Sequence, residues 1–291
     1  MIIYFRNGRL GNQLFQYSFL KKISKKNEKI ILVGFSELKE NFYTKNVIYL
    51  FSNRFLKKLM FPNFDKYNLD RIFSFFSLRV IPNLYLFKII EFDEDNNNYK
   101  ILNKISIFKN IYFVKNFFAQ TDKYIDKKKI DELKFKVKTI EKSKRIIKNL
   151  QAKNQKIFFV HIRQGDYKKI NHNMNINLPI ESYRKCIRII EKKYINPYFI
   201  ILSDDNEIYR KFNDKNKYYC SKNNFLIDFC IMSLCDGGIL SASSFSWWGA
   251  HFAKNKKNDT YFIAPNFWMG FSKKIWFPKN IKSNYFKYLD V

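Results

Sequence analysis

The chain has 291 residues, 46% of them hydrophobic, enough to build real cores and to exclude a disordered polymer. Fifty-four Lys+Arg against 25 Asp+Glu give a formal net charge of +29, a field that attracts anions such as nucleotides, nucleic acid or acidic lipid head groups. Part of that excess travels with abundant Asn, Ile, Phe and Tyr, the set that AT-rich codons encode, so only the remainder speaks of a partner. The four cysteines, Cys186, Cys220, Cys230 and Cys235, form no C-x-x-C pair. They read as small buried hydrophobes of a reducing compartment, not as a zinc site or a disulfide framework.

The chain opens as strand, glycine loop and helix. Residues 2–5 form a short apolar run, 6–11 the loop, and from Asn12 a helical period places Leu14, Phe15, Phe19 and Ile23 on one face. Residues 29–33 predict a second buried strand, the start of a strand–helix–strand unit. The N-terminal apolar stretch is too short for a signal peptide, and no window approaches the ~18–20 apolar residues of a spanning helix. The expected location is the cytoplasm, with peripheral contact to the anionic inner membrane face.

Residues 40–150 are aromatic and lysine-rich, with a polar break at 93–98. Strands are predicted at 101–102 and 111–114. A helix is predicted over 130–150, with Ile130, Leu133, Val137, Ile140, Ile146 and Leu150 as its apolar positions. The polar run 151–155 then marks a domain boundary, dividing the chain into 1–150 and 151–291.

The C-terminal half alternates clearly. KIFFVHI at 156–162 is an almost unbroken apolar strand, as expected for a parallel strand covered on both faces. Helices are predicted at 181–194, 225–235 and 245–253, and strands at 198–202, 238–240 and 261–264. This alternation implies an α/β protein with parallel sheets and right-handed crossovers. Ligands in such sheets bind at the carboxyl ends of the strands. Three polar clusters fall there: residues 161–166, 203–205 and 241–246.

Each cluster has chemistry to offer. His161 and Arg163, two apart on a strand, share one face, and a guanidinium offers bidentate donation to phosphate oxygens. Asp166 either orders that loop by pairing with Arg163 or serves as a base. Ser241, Ser243, Ser244 and Ser246 precede a helix whose positive end suits a phosphate, and Phe245 can pack on a base. The loop Gly8-Arg9-Leu10-Gly11-Asn12-Gln13 lies between a strand and a helix N-terminus, but its G-x-x-G spacing is not a dinucleotide fingerprint. Ser203-Asp204-Asp205 reads as a structural or nucleotide-side cluster.

The segments GRLGNQLFQYSF, VHIRQGDY and SASSFSWWGA, with ILSDD and IDFCIMSLC between them, resemble the bacterial alpha-1,2-fucosyltransferases in order and separation. That resemblance implies a GT-B architecture, two Rossmann-like domains facing a cleft, with the acceptor on the N-terminal domain and the GDP-sugar on the C-terminal one. It implies GDP-fucose as donor, inversion at the anomeric carbon, no metal or other cofactor, and an acceptor oligosaccharide with terminal galactose in lipopolysaccharide or capsule. Carried onto this sequence, Arg163 binds the diphosphate, His161 accompanies it, and Ser243, Ser244 and Phe245 line the phosphate and nucleotide pocket. Asp228 matches the acid that recognises guanine, and Gly11 and Asn12 the loop facing the sugar. Asp166 completes the catalytic set.

The sequence departs from the family pattern at Gln164, where a second arginine is usual, and at Ala242, where asparagine is usual. These departures leave room for another GDP-linked sugar such as a GDP-deoxyheptose, or for an inactive sugar-binding relative. A basic nucleic-acid-binding protein is the reading from another class. It needs basic and aromatic residues interleaved on one face, whereas these lysines spread along the whole chain, and no nucleic-acid partner is expected.

Overall fold

The computed structural model describes residues 1–52, 72, 75–84, 86–102, 106–115, 117–151, 156–165, 167 and 176–290. They fall into two compact units, Met1–Lys136 and Val137–Val291. Asp166 lies outside the described residues.

Unit 1 is built on β1 (Ile2–Phe5), α1 (Leu10–Ile23), β2 (Ile30–Val33), α2 (Ser36–Asn41), β3 (Phe42–Tyr43), β4 (Val47–Leu50), β5 (Phe87–Asp93), β6 (Asn98–Leu102), β7 (Phe108–Val114), α3 (Lys127–Asp131) and β8 (Lys134–Phe135). Its main sheet runs β4-β2-β1-β7-β5-β6. All neighbours are parallel except β5 and β6, which form an antiparallel hairpin. β1 sits in the middle, with Ile2 opposite Ile30 on one side and Tyr112 on the other. Central strands lose water on both faces, which is why Ile2, Tyr4, Ile30, Leu32, Phe113 and Val114 are all buried.

Unit 2 begins with α4 (Val137–Gln151) and continues through β9 (Lys156–Ile162), α5 (Ile180–Lys193), β10 (Pro197–Ser203), β11 (Tyr218–Cys220), α6 (Phe225–Met232), β12 (Gly237–Ile239), α7 (Ser244–Lys256), β13 (Tyr261–Pro265) and β14 (Lys287–Leu289). Its six strands are parallel throughout, in the order β11-β10-β9-β12-β13-β14. On β9 the alternation assigns faces. Phe158, Val160 and Ile162 join Tyr183, Cys186, Ile187 and Ile190 of α5 in one core. Phe159 turns the other way to meet Phe262, and His161 turns with it toward Phe245 of α7. Each fully buried large apolar side chain of that core contributes roughly 1.5–3 kcal/mol.

The boundary and the helix predicted over 130–150 both move. The segment breaks into α3, the short strand β8 and α4. β8 pairs with β3, Phe42 opposite Phe135, and the Lys136 amide bonds to the Asn41 carbonyl. That pairing draws Leu133 and Phe135 into unit 1, overriding the helical period. α4 then belongs to unit 2. Its buried line is Thr139, Ser143 and Ile147, with Val137 exposed, and the Ser143 hydroxyl donates to the Ile227 carbonyl of α6 at 3.3 Å. The division therefore falls at 136/137 and not at 150/151.

Candidate functional site

The polar clusters of unit 2 gather at the carboxyl ends of β9, β10 and β12. β9 delivers His161 as its penultimate residue, 5% exposed. The His161 Nδ1 lies 2.7 Å from the Ser241 hydroxyl, and its ring packs 5.5 Å from Phe245. Burial, reinforced by the charge of Arg163, lowers its pKa to about 3. His161 is thus neutral at pH 7. It acts as a hydrogen-bonding group with Nδ1 engaged, not as a store of positive charge.

Arg163 is held from the neighbouring strand. Its Nη1 lies 3.1 Å from Asp204 Oδ2, just past the end of β10, and its guanidinium sits over the Tyr167 ring at 5.5 Å. The other carboxylate oxygen, Oδ1, accepts from the backbone amides of Gln164 at 2.9 Å and Gly165 at 3.1 Å. Burial works to raise the Asp204 pKa, but Arg163 and the two amides outweigh it and hold the carboxyl below its ordinary range. Gly165 is required for this: a Cβ there would stand 2.8 Å from Asp204 Oδ2. The Tyr167 hydroxyl donates to the Ala242 carbonyl at 2.8 Å, tying the loop after β9 to the serine segment after β12.

The serine segment is a helix entry. Ser243 is the N-cap of α7, its hydroxyl accepting from the Phe245 amide at 3.3 Å, and Ser246 donates back to the carbonyls of Ser241 and Ser243. Ser244 and Phe245 are half-buried at the first turn, where the helix dipole presents positive potential. Ser241, with Trp247 and Trp248 behind it, is buried.

Asp228 lies on the first turn of α6, 8% exposed, and accepts a hydrogen bond of 2.5 Å from Ser221. Burial pushes its pKa up to about 7, against the opposing effects of Ser221 and the Lys142 charge. A pocket of about 690 Å³ opens beside it, lined by Ser203, Asn206, Tyr209, Arg210, Ser221, Lys222 and Asn223. The Tyr209 phenol, which bonds to Ser203, feels the charge of both Asp228 and Asp204. Two of its lining residues adjoin the expected site: Ser203 immediately precedes Asp204 in the chain, and Ser221 bonds to Asp228.

Gly11 and Asn12 lie in unit 1, at the opening of α1. Gly8 takes φ +79°, and any Cβ there would meet the Asn12 amide. The Asn12 Oδ1 accepts from Gln120 Nε2 at 2.8 Å. Of the expected site residues, then, unit 2 brings together His161, Arg163, Ser243, Ser244 and Phe245, while Asp228 bonds to Ser221, which lines the pocket. Arg163 pairs with Asp204, while the pairing expected between Asp166 and Arg163 lies outside the described residues. Asp204, Ser241 and Ser221 were not counted among the site residues. The Ser-Asp-Asp run at a strand end was the available signal for the first. Among the described residues, no cluster of three or more His, Cys, Asp or Glu could hold a metal ion, and no helix is long and apolar enough to cross a membrane.

Residues 2–274 match the model of Glycosyl transferase family 11. The chain belongs to glycosyl transferase family 11. This family 11 glycosyltransferase is 27% identical over 286 residues to the alpha-1,2-colitosyltransferase of Escherichia coli, a span covering 90% of each chain. It is 32% identical over 136 residues to the O-antigen biosynthesis glycosyltransferase WbnK of Escherichia coli, which is 44% of each. Among solved structures, POFUT1 in complex with GDP-fucose aligns with 88% of this chain and 94% of its own, with a TM-score of 0.52 and 11% identity. The fucosyltransferase NodZ from Bradyrhizobium aligns with 86% of this chain and 91% of its own, with a TM-score of 0.50 and 10% identity. At such identities the likeness concerns the fold, and it places the family 11 chain in the GT-B class of paired Rossmann-like units. The resemblance read from the three motifs holds at the level of family and fold.

Proposed function

We propose that this glycosyltransferase moves L-fucose from GDP-fucose to the 2-hydroxyl of a galactoside in a cell-surface glycan, with inversion. The observation that carries the reading is the fixed Arg163, held by Asp204 beside a neutral His161 and the N-terminus of α7. Such a cluster suits a diphosphate that gains charge as it leaves. The acceptor oxygen attacks the anomeric carbon, and the bond from that carbon to the β-phosphate oxygen breaks with its electron pair passing to GDP. Arg163 and the Ser244 amide at the N-terminus of α7 offset that charge, usually the largest single catalytic term in reactions of this kind. These fixed positive groups supply what a metal would otherwise supply, so the reaction is proposed to need none. Asp166 is the proposed acceptor for the hydroxyl proton.

The pocket lined by Ser203, Tyr209 and Ser221 is proposed to take the guanine, with the carboxylate of Asp228, the partner of Ser221, accepting the N1 and N2 hydrogens. A second reading of the donor has a specific observation behind it. The relative matched over 90% of its length is a colitosyltransferase, so a GDP-linked relative of fucose is the alternative sugar, as is a GDP-deoxyheptose. The test is a melting scan with GDP, UDP and ADP, then incubation with GDP-fucose and GDP-colitose and a panel of β-galactosides, with product mass and linkage determined. Selective stabilisation by GDP and an α-1,2-linked fucosyl product are expected. Equal shifts with all three nucleotides would remove the guanine reading, and a product only from GDP-colitose would transfer the assignment to that sugar. Peripheral contact with anionic membrane is proposed from the net charge, to be read as salt-sensitive binding to phosphatidylglycerol vesicles; no binding at low salt would remove it.

A further inference from the structure

We propose that the turn at residues 117–121 of unit 1 is the platform for the acceptor sugar, the Phe118 ring packing on the apolar face of a β-galactoside and the Asn12–Gln120 amide pair bonding its hydroxyls; this rests on the transferase reading above. The turn lies just beyond β7, beside β1, at the carboxyl ends of the parallel strands of unit 1, where ligands of such sheets bind.

The turn is fixed at many points. The Tyr4 hydroxyl donates to the Phe117 carbonyl at 2.6 Å and accepts from the Phe117 amide at 3.2 Å, while Gln16 Nε2 donates to the same carbonyl at 3.2 Å. The Phe117 ring packs 4.8 Å from both Phe19 and Phe92. Glu94 Oε1 accepts from the amides of Phe118 at 2.6 Å and Ala119 at 3.1 Å. Asn97 Nδ2 donates to the Thr121 hydroxyl at 3.0 Å, closing the far end. Ala119 takes φ +50°, a left-handed conformation unfavourable for a residue with a Cβ. The surrounding bonds impose it.

The result of that strain is visible. Phe117 is 6% exposed and Ala119 1%, while Phe118 between them is turned out and 39% exposed. A lone exposed phenylalanine needs no explanation. One presented by a strained, many-times-anchored turn at the ligand end of a parallel sheet does. Beside it, Gln120 donates to Asn12, and both side chains are half-buried. Among the described residues, Gln120 Oε1 and the Asn12 amide hydrogens have no further hydrogen bond, leaving an acceptor on one side chain and a donor group on the other. Hydroxyls use both. The pair is uncharged, which suits a neutral sugar better than a diphosphate and moves Asn12 from the donor to the acceptor side.

Galactose fits such a platform. Its axial O4 clears one face of the ring, so the hydrogens on C3, C4 and C5 form an apolar patch that packs on an aromatic ring. Glucose, with O4 equatorial, presents no such continuous patch.

The test separates acceptor from donor. Kinetics with GDP-fucose and methyl β-galactoside give the two KM values for the wild type, Phe118→Ala, Phe118→Tyr and Gln120→Ala. Saturation-transfer NMR of methyl β-galactoside, with methyl β-glucoside as control and GDP present, reads binding without turnover. Phe118→Ala should raise the acceptor KM tenfold or more and abolish transfer to the C3–C5 hydrogens. The donor KM and the GDP-induced melting shift should stay within twofold, and Phe118→Tyr should stay close to wild type. An acceptor KM within twofold of wild type in Phe118→Ala overturns the proposal. So does a parallel rise in both KM values, or no saturation transfer to the galactoside in the wild type. Absence of a GDP melting shift in the wild type would instead defeat the donor reading, and the NMR arm would still decide the role of Phe118.

Discussion

Asp204 holds Arg163 with one carboxylate oxygen and the two amides that follow Arg163 in the chain with the other. A single side chain thus fixes both the charge and the loop that carries it. Preorganisation of this kind lets a donor act on developing charge without first reorienting, and it accounts for an acidic residue inside the proposed diphosphate site.

Replacing Arg163 by lysine should lower kcat by about 10²–10³, the range for loss of one fixed donor to a developing anion. An ammonium keeps the charge but not the planar fork that Asp204 aligns. Steady-state kinetics with GDP-fucose and a galactoside check this; a rate within threefold of wild type would remove Arg163 from its role.

Gly165→Ala should act at a distance of one side chain. The new methyl would meet Asp204 Oδ2 at 2.8 Å, so the carboxylate must shift and the pairing with Arg163 loosens. A fall in kcat with GDP affinity less affected is expected. Asp204→Ala should reproduce that fall and add a stability loss of about 1–3 kcal/mol, the range for a hydrogen-bonded charged group. Urea melts at pH 7 alongside kinetics would show it.

Ser241→Ala removes the partner of the buried His161 Nδ1. An unpaired buried polar atom costs about 1–3 kcal/mol. Denaturant titration should show that loss at pH 7. Because the His161 pKa is depressed by burial and by Arg163, its contribution to stability is present above about pH 6.5 and falls as pH drops toward 3. His161→Gln should flatten the stability curve across that interval.

Asp228 gives the opposite slope. Its pKa rises from 3.8 to about 7, so the free protein loses stability as pH climbs between those values. Three units at 1.36 kcal/mol each set an upper bound of about 4 kcal/mol. Asp228→Asn should remove that slope and stabilise the free protein above pH 7, while abolishing selective stabilisation by GDP. On the proposed contact, guanine donors favour the Asp228 carboxylate of the wild type, so GDP binding should release a proton near pH 6 and tighten as pH rises through 7. Calorimetry in two buffers of different ionisation enthalpy measures that proton; equal heats would sink the coupling.

The C-terminal unit was largely legible in the sequence. KIFFVHI, YFIIL and the serine-capped helix are local signals whose period and caps need no distant partner. His161, Arg163 and Ser243 were readable because strand ends and helix starts are where such sheets place ligands. Asp204 was visible as a strand-end acid, but its grip on Arg163 depends on β9 and β10 being neighbours, which no short-range pattern states. The helix predicted over 130–150 misled because Leu133 fits the period of Ile130 and Val137, while the pairing of Phe135 with Phe42 of β3 is a long-range contact that breaks the segment. The Phe118 turn was invisible for the same reason: Tyr4, Gln16, Glu94 and Asn97, spread over the first hundred residues, together impose its conformation.

The packing of α4 on α6 also decides where this polypeptide can be divided. Severed at 151, a C-terminal half would lose the helix whose Ser143 touches Ile227, laying open the surface of α6 that includes the buried Ile227 and Cys230. Such a fragment would carry a sticky wall directly behind Asp228 and would tend to precipitate. One that starts at Val137 keeps that wall covered, and is the piece to express for soaking GDP into crystals to test the proposed donor site.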